Sequence, residues 1–492
     1  MTASDTVYLF QSLADRSKNP QERSLFRNYI SEALELLRET PSSPTVVHEQ
    51  CFRFLANSCS DNNENRAAFF NLGGIDVLKP YCSKDNEYSA LAFAVIHNCI
   101  LDSREYRAQV ADAQILNLAI TYWIDWQHKL KAPFFNMLSF VCEMLYPFCK
   151  DCSLVFMGLQ LLPSMVREGI DPFTIFAKAF DNSLVCVSFA QNPSMLIDSI
   201  DLVRNMPDFT KKTDMLNLFP RIAEHDAVLS TSLHTDPQFL DFLESCFRSD
   251  DSNSITMASL FIGNLVRRDD IAKQLMQKDF LNMLISCIMQ EKDVDGNVER
   301  VYACCAALRH FMIPVSSRAH FAPTAILLQE KLASSRFTQL HYISASMIRL
   351  SMPYILCELA DHPERFYKLK DWSKSPDFNL ALESNRTLLA FVKHYLTVPK
   401  SKEKISAFFK NNINLFEESV VTVLSTESKY PIVIGEAVFV AILMIKHGYA
   451  NVAQTIIASP VYEALKSYRD DPNLAYQLKQ NVRSLLVLVE HR

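Results

Sequence analysis

Glycine is the residue this chain nearly does without: 8 occur in 492 positions, at 73, 74, 158, 169, 263, 296, 435 and 448. Proteins ordinarily carry about 7% glycine, because tight hairpins, phosphate loops and nucleophile elbows need its left-handed backbone. With the glycines so placed, no Gly-x-Gly-x-x-Gly, phosphate-binding loop or Gly-x-Ser-x-Gly can be written, and His-Glu-x-x-His is absent as well. The scarcity argues against β-sandwiches, Rossmann folds and loop-rich enzymes. It points to helices joined by short turns, and to a chain that is not an enzyme.

Apolar residues make up 49% and charged residues 21%, the balance of a globular protein able to bury a large core. A net charge of −6 provides no basic field for a polyanion, which argues against a nucleic-acid partner. The first 16 residues hold Asp5 and Asp15 and no basic stretch followed by a long apolar run, so they read as neither signal nor transit peptide. The longest apolar run, residues 437–445, falls far short of the roughly 20 residues that span a bilayer. A cytoplasmic protein is the expectation. Thirteen scattered cysteines fit a reducing compartment better than a disulfide framework. Cys149 and Cys152, with Cys142 a helical stretch earlier, are the one metal-like or redox-like spacing; lacking a second pair, they read as structural thiols rather than a zinc or redox site. Neither cofactor nor metal is expected.

Apolar residues recur at helical spacing. Leu260, Ile262 and Leu265 lead to Ile271, Leu275 and Met276, then to Leu281, Leu284 and Ile288, with polar clusters between. The same rhythm repeats along the chain. Asn98 is followed by Ile115 and Leu118, and Asn264 by Leu281 and Leu284 at the same intervals; the copy at Asn57 runs one residue longer. Positions 57 and 98, 264 and 310, and 310 and 350 are separated by roughly the 40–47 residues of HEAT and armadillo units. The fold class is therefore all-α: an armadillo- or HEAT-like α-solenoid, a right-handed superhelix of roughly eleven degenerate repeats. The period blurs between about 120 and 215, and residues 40–45 read as a turn. One continuous array over 1–492 is expected, with divergent repeats over 1–219, better-marked repeats over 220–450 and a cap over 451–492.

An Asn recurring on the inner helix of such a unit can hold an extended partner or satisfy a neighbouring backbone. For Asn57 and Asn98 the second role is favoured. Residues 220–442 resemble the Smg-type GDP-dissociation stimulators (SmgGDS), armadillo-repeat regulators of Ras- and Rho-family small GTPases. Ser259-Leu-Phe-Ile262-Gly263-Asn264-Leu-Val-Arg267-Arg268-Asp269 is similar to that family's Ala-Leu-Ala-Ile-Gly-Asn-Phe-Ala-Arg-Asn-Asp. Asp295-Gly296-Asn297-Val298 opens a stretch ending Ala307-Leu308-Arg309-His310-Phe-Met-Ile313-Pro314-Val315, where the family has Asn in place of His310. Glu383-Ser384-Asn385-Arg386, with Leu388 and His394, matches a further phrase; 220–227 and Glu436-Ala437 match more weakly. An ataxin-ten-like or importin-like scaffold is the generic alternative, since repeat families share core constraints.

The resemblance implies a guanine-nucleotide releasing factor and chaperone: a partner of a Rho-, Rap- or Ras-type GTPase with a basic, prenylatable tail, acting on GDP release without covalent chemistry. It places Asn264, Arg267, Arg309, His310, Asn385 and Arg386 on or beside a concave face against the GTPase switch region. The alternative function is an armadillo scaffold or cargo adaptor holding an extended peptide, indifferent to nucleotide state. Charge adds one more candidate. Asp236, Asp241, Glu244, Asp250 and Asp251 face the single base Arg248 over sixteen residues, with Glu224 and Asp226 shortly before. They read either as a solvated surface or, following the resemblance, as an acidic patch for the basic tail.

Overall fold

The computed structural model describes residues 3–39, 46–112, 114–127, 132–397, 403–426 and 430–491. The turn expected at 40–45 lies outside them. Among the described residues there are 31 α-helices, a few short 3-10 turns and no strand, so the α-solenoid class is the observed one. The chain forms two compact units, Met1–Ser245 and Cys246–Arg492. This division falls within the helix Pro237–Phe247 and not at 219/220, where the family-like phrases begin. Sequence phrases marked where resemblance starts; packing density marks where the units part.

In the first unit, helices α1 (Ala3–Arg16), α2 (Val46–Cys59), α3 (Ser89–Ile100) and α4 (Ala132–Leu145) start at a constant interval of 43 residues and pack each on the next. Other helices, Tyr29–Glu39 and Ile115–Trp126 among them, pack against members of this row. The blurred stretch remains helical, in helices of 5 to 12 residues from Cys152–Leu159 to Lys212–Leu216. Side-chain oxygens of Asp151, Asp171 and Asn182 accept the orphan N–H groups at three of these helix starts. Pro172–Phe180 and Ser183–Ala190, mostly apolar, bend 82° apart and bury Phe176, Phe180 and Phe189 in the core. No single helix among the described residues is long and apolar enough to cross a membrane.

In the second unit the corresponding row is α5 (Ser252–Leu265), α6 (Val298–Phe311), α7 (Thr338–Asp361), α8 (Phe378–Thr397), α9 (Pro431–Lys446) and α10 (Tyr476–Glu490), each packed on the next. Glycine scarcity now has a local meaning. Gly73, Gly169 and Gly448 have φ of 70°, 72° and 92°, and each sits at the turn after a helix, where a side chain would be strained.

Candidate functional site

A register recurs along both rows. In the first unit the Asn57 amide donates to the Ala14 carbonyl at 2.8 Å and the Asn98 amide to the Ala56 carbonyl at 2.9 Å, each reaching the preceding helix of the row. In the second, the Nδ1–H of His310 donates to the Gly263 carbonyl at 2.7 Å, and the Thr387 hydroxyl shares its one proton between the Ala345 carbonyl at 3.0 Å and the Glu383 carbonyl of its own helix at 2.8 Å. These side chains fasten one repeat to the next. A carbonyl only accepts, so His310 is held as the Nδ1–H tautomer, and burial holds its pKa below the ordinary 6.5. Imidazole thus does here what the Asn57 and Asn98 amides do in the first unit. The Ala56 and Gly263 carbonyls that receive these bonds immediately precede Asn57 and Asn264, so Asn264, half-buried on α5, stands in the same register.

A second recurring device closes the helix ends. Arg66 Nε donates to the Cys59 carbonyl, Arg107 Nε to Ile100 and Arg318 Nε to Met312, each guanidinium capping the last turn of a row helix. This Arg signal was present in the sequence, six or seven residues past each helix end, but was not read as a repeat.

The candidate residues fare unevenly. Arg309 and His310 lie on α6 and Arg386 on α8, with α7 between them, and all three are half-buried; Arg267 is exposed just beyond α5. Asn385 departs from expectation: it is 3% exposed, and its amide donates to the carbonyls of Ser373 and Ala381, locking α8 to the turn after Pro363–Trp372. It belongs to the core, not to a binding face. Arg309 Nε donates to Ser346 Oγ on α7 at 2.7 Å.

Beyond it runs an ionic chain across three helices. Arg349 Nε donates to Glu383 at 2.6 Å, Arg386 Nη1 donates to the other oxygen of Glu383 at 2.9 Å, and Arg386 grips Glu436 with two further bonds at 2.8 and 2.9 Å. Glu383 is 3% exposed, so this carboxylate is fully enclosed by its two guanidiniums. Glu436 entered the sequence reading only as part of a weak phrase, and Arg349 not at all.

A cavity of about 740 Å³ opens beside this chain. Leu350, Leu389, Ile432, Phe439 and Leu478 provide its apolar walls; Arg318, Arg349, Arg386, Lys393 and Glu436 bring charge to it. Glu383 and Glu436 account for the charges of Arg349 and Arg386. Arg318 and Lys393 have no carboxylate partner among the described residues, so the cavity carries an excess of two positive charges. Burial and the neighbouring Arg349 push the Arg318 guanidinium below its ordinary range. His394 is likewise held down by burial, with Lys393 and Arg318 adding to the effect. The arrangement can hold an anion beside an apolar group; it offers no nucleophile paired with a base.

The acidic candidates fall on both sides of the division between the units, and Asp236 and Asp251 serve helix starts. Asp236 accepts from the Phe239 N–H at 2.8 Å, at the start of Pro237–Phe247. Asp251 caps α5, accepting from the N–H groups of Asn253 and Ser254. Glu224, Asp226, Asp241 and Asp250 are exposed and Glu244 is half-buried. Cys149 and Cys152 are buried, and desolvation raises both thiols; Cys149 donates to the Asp151 carbonyl and Cys152 lies against Met195. Among the described residues no group of three or more potential ligands could hold a metal.

Residues 45–214 match the BEM4 N-terminal domain, a family described as BEM4-like; the match lies wholly within the first unit and spans about a third of the chain. Among solved structures, a Kap121p mutant superposes with a TM-score of 0.51 at 12% identity, covering 99% of this chain and 54% of that one. That likeness concerns the fold alone. An engineered protein (TM-score 0.46, 15% identity, 94% of this chain and 98% of that one) and a chain from a study of the cadherin–β-catenin interaction (0.42, 13%, 96% and 99%) are weaker matches.

Proposed function

We propose that this chain is a regulatory binding protein for a small GTPase of the Rho, Rap or Ras type, engaging it through the α5–α10 row and promoting GDP release or chaperoning the GTPase and its prenylatable tail. The observation that supports this reading is one of placement. The four SmgGDS-like phrases in the second unit fall on α5, α6, α8 and α9, successive or near-successive members of one row, and the ionic chain and the cationic cavity lie on the same row. Arg309, His310 and Arg386 keep this role as half-buried residues at the rim of that row, and Asn264 and Arg267 at its start.

Exchange of this kind requires no reacting group. It requires that the row bind a nucleotide-free conformation of the GTPase more tightly than the nucleotide-bound one, because a ligand shifts an equilibrium only by its difference in affinity for the two states. Basic-tailed GTPases would gain association rate from the exposed carboxylates Asp241 and Asp250. The test measures release of a fluorescent GDP analogue from a panel of Rho, Rap and Ras proteins, alongside capture of their GDP-bound, GTP-bound and nucleotide-free forms. Faster release and preferential capture of the nucleotide-free form are expected. Equal capture of all three forms would favour the adaptor reading, and no capture of any would overturn both the exchange and the chaperone roles.

A further inference from the structure

Three of this chain's scarce glycines sit inside helices, and each must have a reason, since glycine destabilises a helix interior by about 1 kcal/mol relative to alanine. Two are hemmed in by neighbouring residues: a Cβ at Gly158 would strike the Tyr146 hydroxyl, and one at Gly263 would stand between Ala307 and His310 at 3.4 to 3.6 Å, the near edge of ordinary contact. Gly435, in the second turn of α9, has no such neighbour: its Cβ would meet only Leu478 Cδ1, at the ordinary contact distance of 3.6 Å. What Gly435 does border is the cavity. Its missing side chain keeps space open between α8, α9 and α10.

The walls around that space are of two kinds. Leu389, Phe439 and Leu478 flank it with apolar surface, and Ile432, 77% exposed, adds an accessible aliphatic side chain to the lining. Arg318 and Lys393 bring charges that no carboxylate among the described residues balances. Arg318 is fixed by its bonds to the Met312 and Ile313 carbonyls, so it presents its charge without having to be ordered first. Lys393 extends over the Phe439 ring, 5.7 Å from its centre.

We infer that this cavity is a docking site for an acidic peptide segment carrying a bulky apolar side chain, which enters the space beside Gly435 while flanking carboxylates pair with Arg318 and Lys393. Charge complementarity and the volume determine that occupant. About 740 Å³ is within the range of sites that enclose a ligand group, and is far more than one side chain fills, so backbone of the segment also enters. The inference rests on reading the α5–α10 row as a protein-binding face; it does not depend on the partner being a GTPase. It concerns a ligand opposite in sign to a basic tail.

The test uses the full chain and a fluorescein-labelled nonapeptide alternating Glu with Leu and Phe, read by fluorescence anisotropy. Controls replace Glu by Lys, or Leu and Phe by Gly. The acidic, apolar peptide should bind and both controls should bind at least about tenfold more weakly, as expected when a charge pair or an anchor side chain is lost. Lys393→Glu and Gly435→Leu should each weaken binding about tenfold or more. Gly435→Ala, which removes less space and relieves the helix, should weaken binding less and leave the melting temperature unchanged or raised, so the site stays testable if Gly435→Leu fails to fold. Unaltered peptide affinity in Lys393→Glu and Gly435→Ala together, equal binding of the lysine peptide, or binding of oleate micelles but of no peptide would each overturn the inference. Running the same variants against GDP release separates the two readings: a GTPase effect without peptide binding overturns this inference alone, and peptide binding without any GTPase effect leaves it standing while the exchange role falls.

Discussion

The two units solve one mechanical problem with different chemistry. In the first, α1–α4 recur every 43 residues and neighbours are joined by the neutral amides of Asn57 and Asn98, each donating one hydrogen bond to a carbonyl of the helix before, with a solvent-exposed ion pair, Arg53 with Asp15, beside them. In the second, row helices start at 252, 298, 338, 378, 431 and 476, so the interval varies, and the joins use His310, Thr387 and the chain Arg349–Glu383–Arg386–Glu436. A buried ion pair seldom stabilises more than a well-packed apolar group of the same size, because desolvation offsets attraction. Charge in the second row is therefore poorly explained by stability alone. On the reading proposed above, the departure from neutral clamps and constant spacing belongs to the row that meets the partner.

The most severe way to break this contrast is at Glu383. Glu383→Ala would leave Arg349 and Arg386, each 17% exposed, facing one another without the carboxylate between them. Removing one partner of a buried ionic group costs about 3–5 kcal/mol. Hydrogen exchange followed by mass spectrometry should show peptides from α7, α8 and α9 losing protection while α1–α4 remain unchanged. An equal loss in both units would mean that the charged chain is not a local device. The shape-preserving Glu383→Gln should recover part of the protection by hydrogen bonding both guanidiniums.

Next in size are the clamps themselves. Asn57→Ala and His310→Ala each remove one inter-repeat hydrogen bond and should each cost about 1–2 kcal/mol in denaturant unfolding. The two differ with pH. Burial holds His310 below 6.5, with Arg309 and Arg267 opposing a second positive charge, so the folded form binds fewer protons than the unfolded one. Its contribution is complete above pH 6.5 and is lost as pH falls below that value. His48, His341 and His394 are shifted in the same direction by burial, so the parent chain should lose stability on acidification from several sites at once. His310→Asn isolates one of them: it should keep the clamp and show a shallower fall between pH 7.5 and 5.5, while Asn57→Ala keeps the parent's slope. Identical slopes for all three would show that His310 titrates alike in both states.

Much of this architecture was legible because helical periodicity and glycine scarcity are properties of every repeat. The helical class, the roughly forty-residue unit and the structural use of Asn57 and Asn98 all followed from local pattern. The site was less legible. Arg349, Glu383 and Glu436 meet only because α7, α8 and α9 pack side by side, and no spacing within one helix indicates that Glu383 will be enclosed by guanidiniums from two. Asn385 was misplaced for a related reason: a family-like phrase identifies a residue type at a position, while the half-turn that sends its amide toward Ser373 and not outward depends on the neighbouring helix. Nothing in the sequence sets Lys393 and Arg318 apart from other bases, and their isolation from carboxylates among the described residues is visible only in three dimensions. The BEM4-like match carries the same lesson from the other side, since it falls on 45–214, where the sequence suggested only general repeat style.

The smallest effects are expected among the acidic residues, and there the comparison is between roles rather than regions. Asp251 and Asp236 accept backbone N–H groups at helix starts, while Asp241 and Asp250 project from the surface. Replacing an N-cap Asp by Ala costs about 1 kcal/mol, whereas Asn caps as well as Asp. Asp251→Ala should therefore destabilise the second unit measurably and Asp251→Asn hardly at all; Asp241→Asn and Asp250→Asn should stay within about 0.5 kcal/mol of the parent, as surface substitutions do. The amide variants are consequently clean probes of charge, because they alter the electrostatic field without disturbing a cap. If these carboxylates steer a basic tail, Asp241→Asn and Asp250→Asn should slow association with an intact GTPase and leave a tail-deleted one unaffected, and the difference should vanish as salt shortens the Debye length from about 10 Å at 0.1 M to about 3 Å at 1 M. Equal association of intact and tail-deleted partners at every ionic strength would reduce the acidic set to two caps and a solvated surface, leaving the cationic cavity of the second unit as the charged feature whose partner is still to be found.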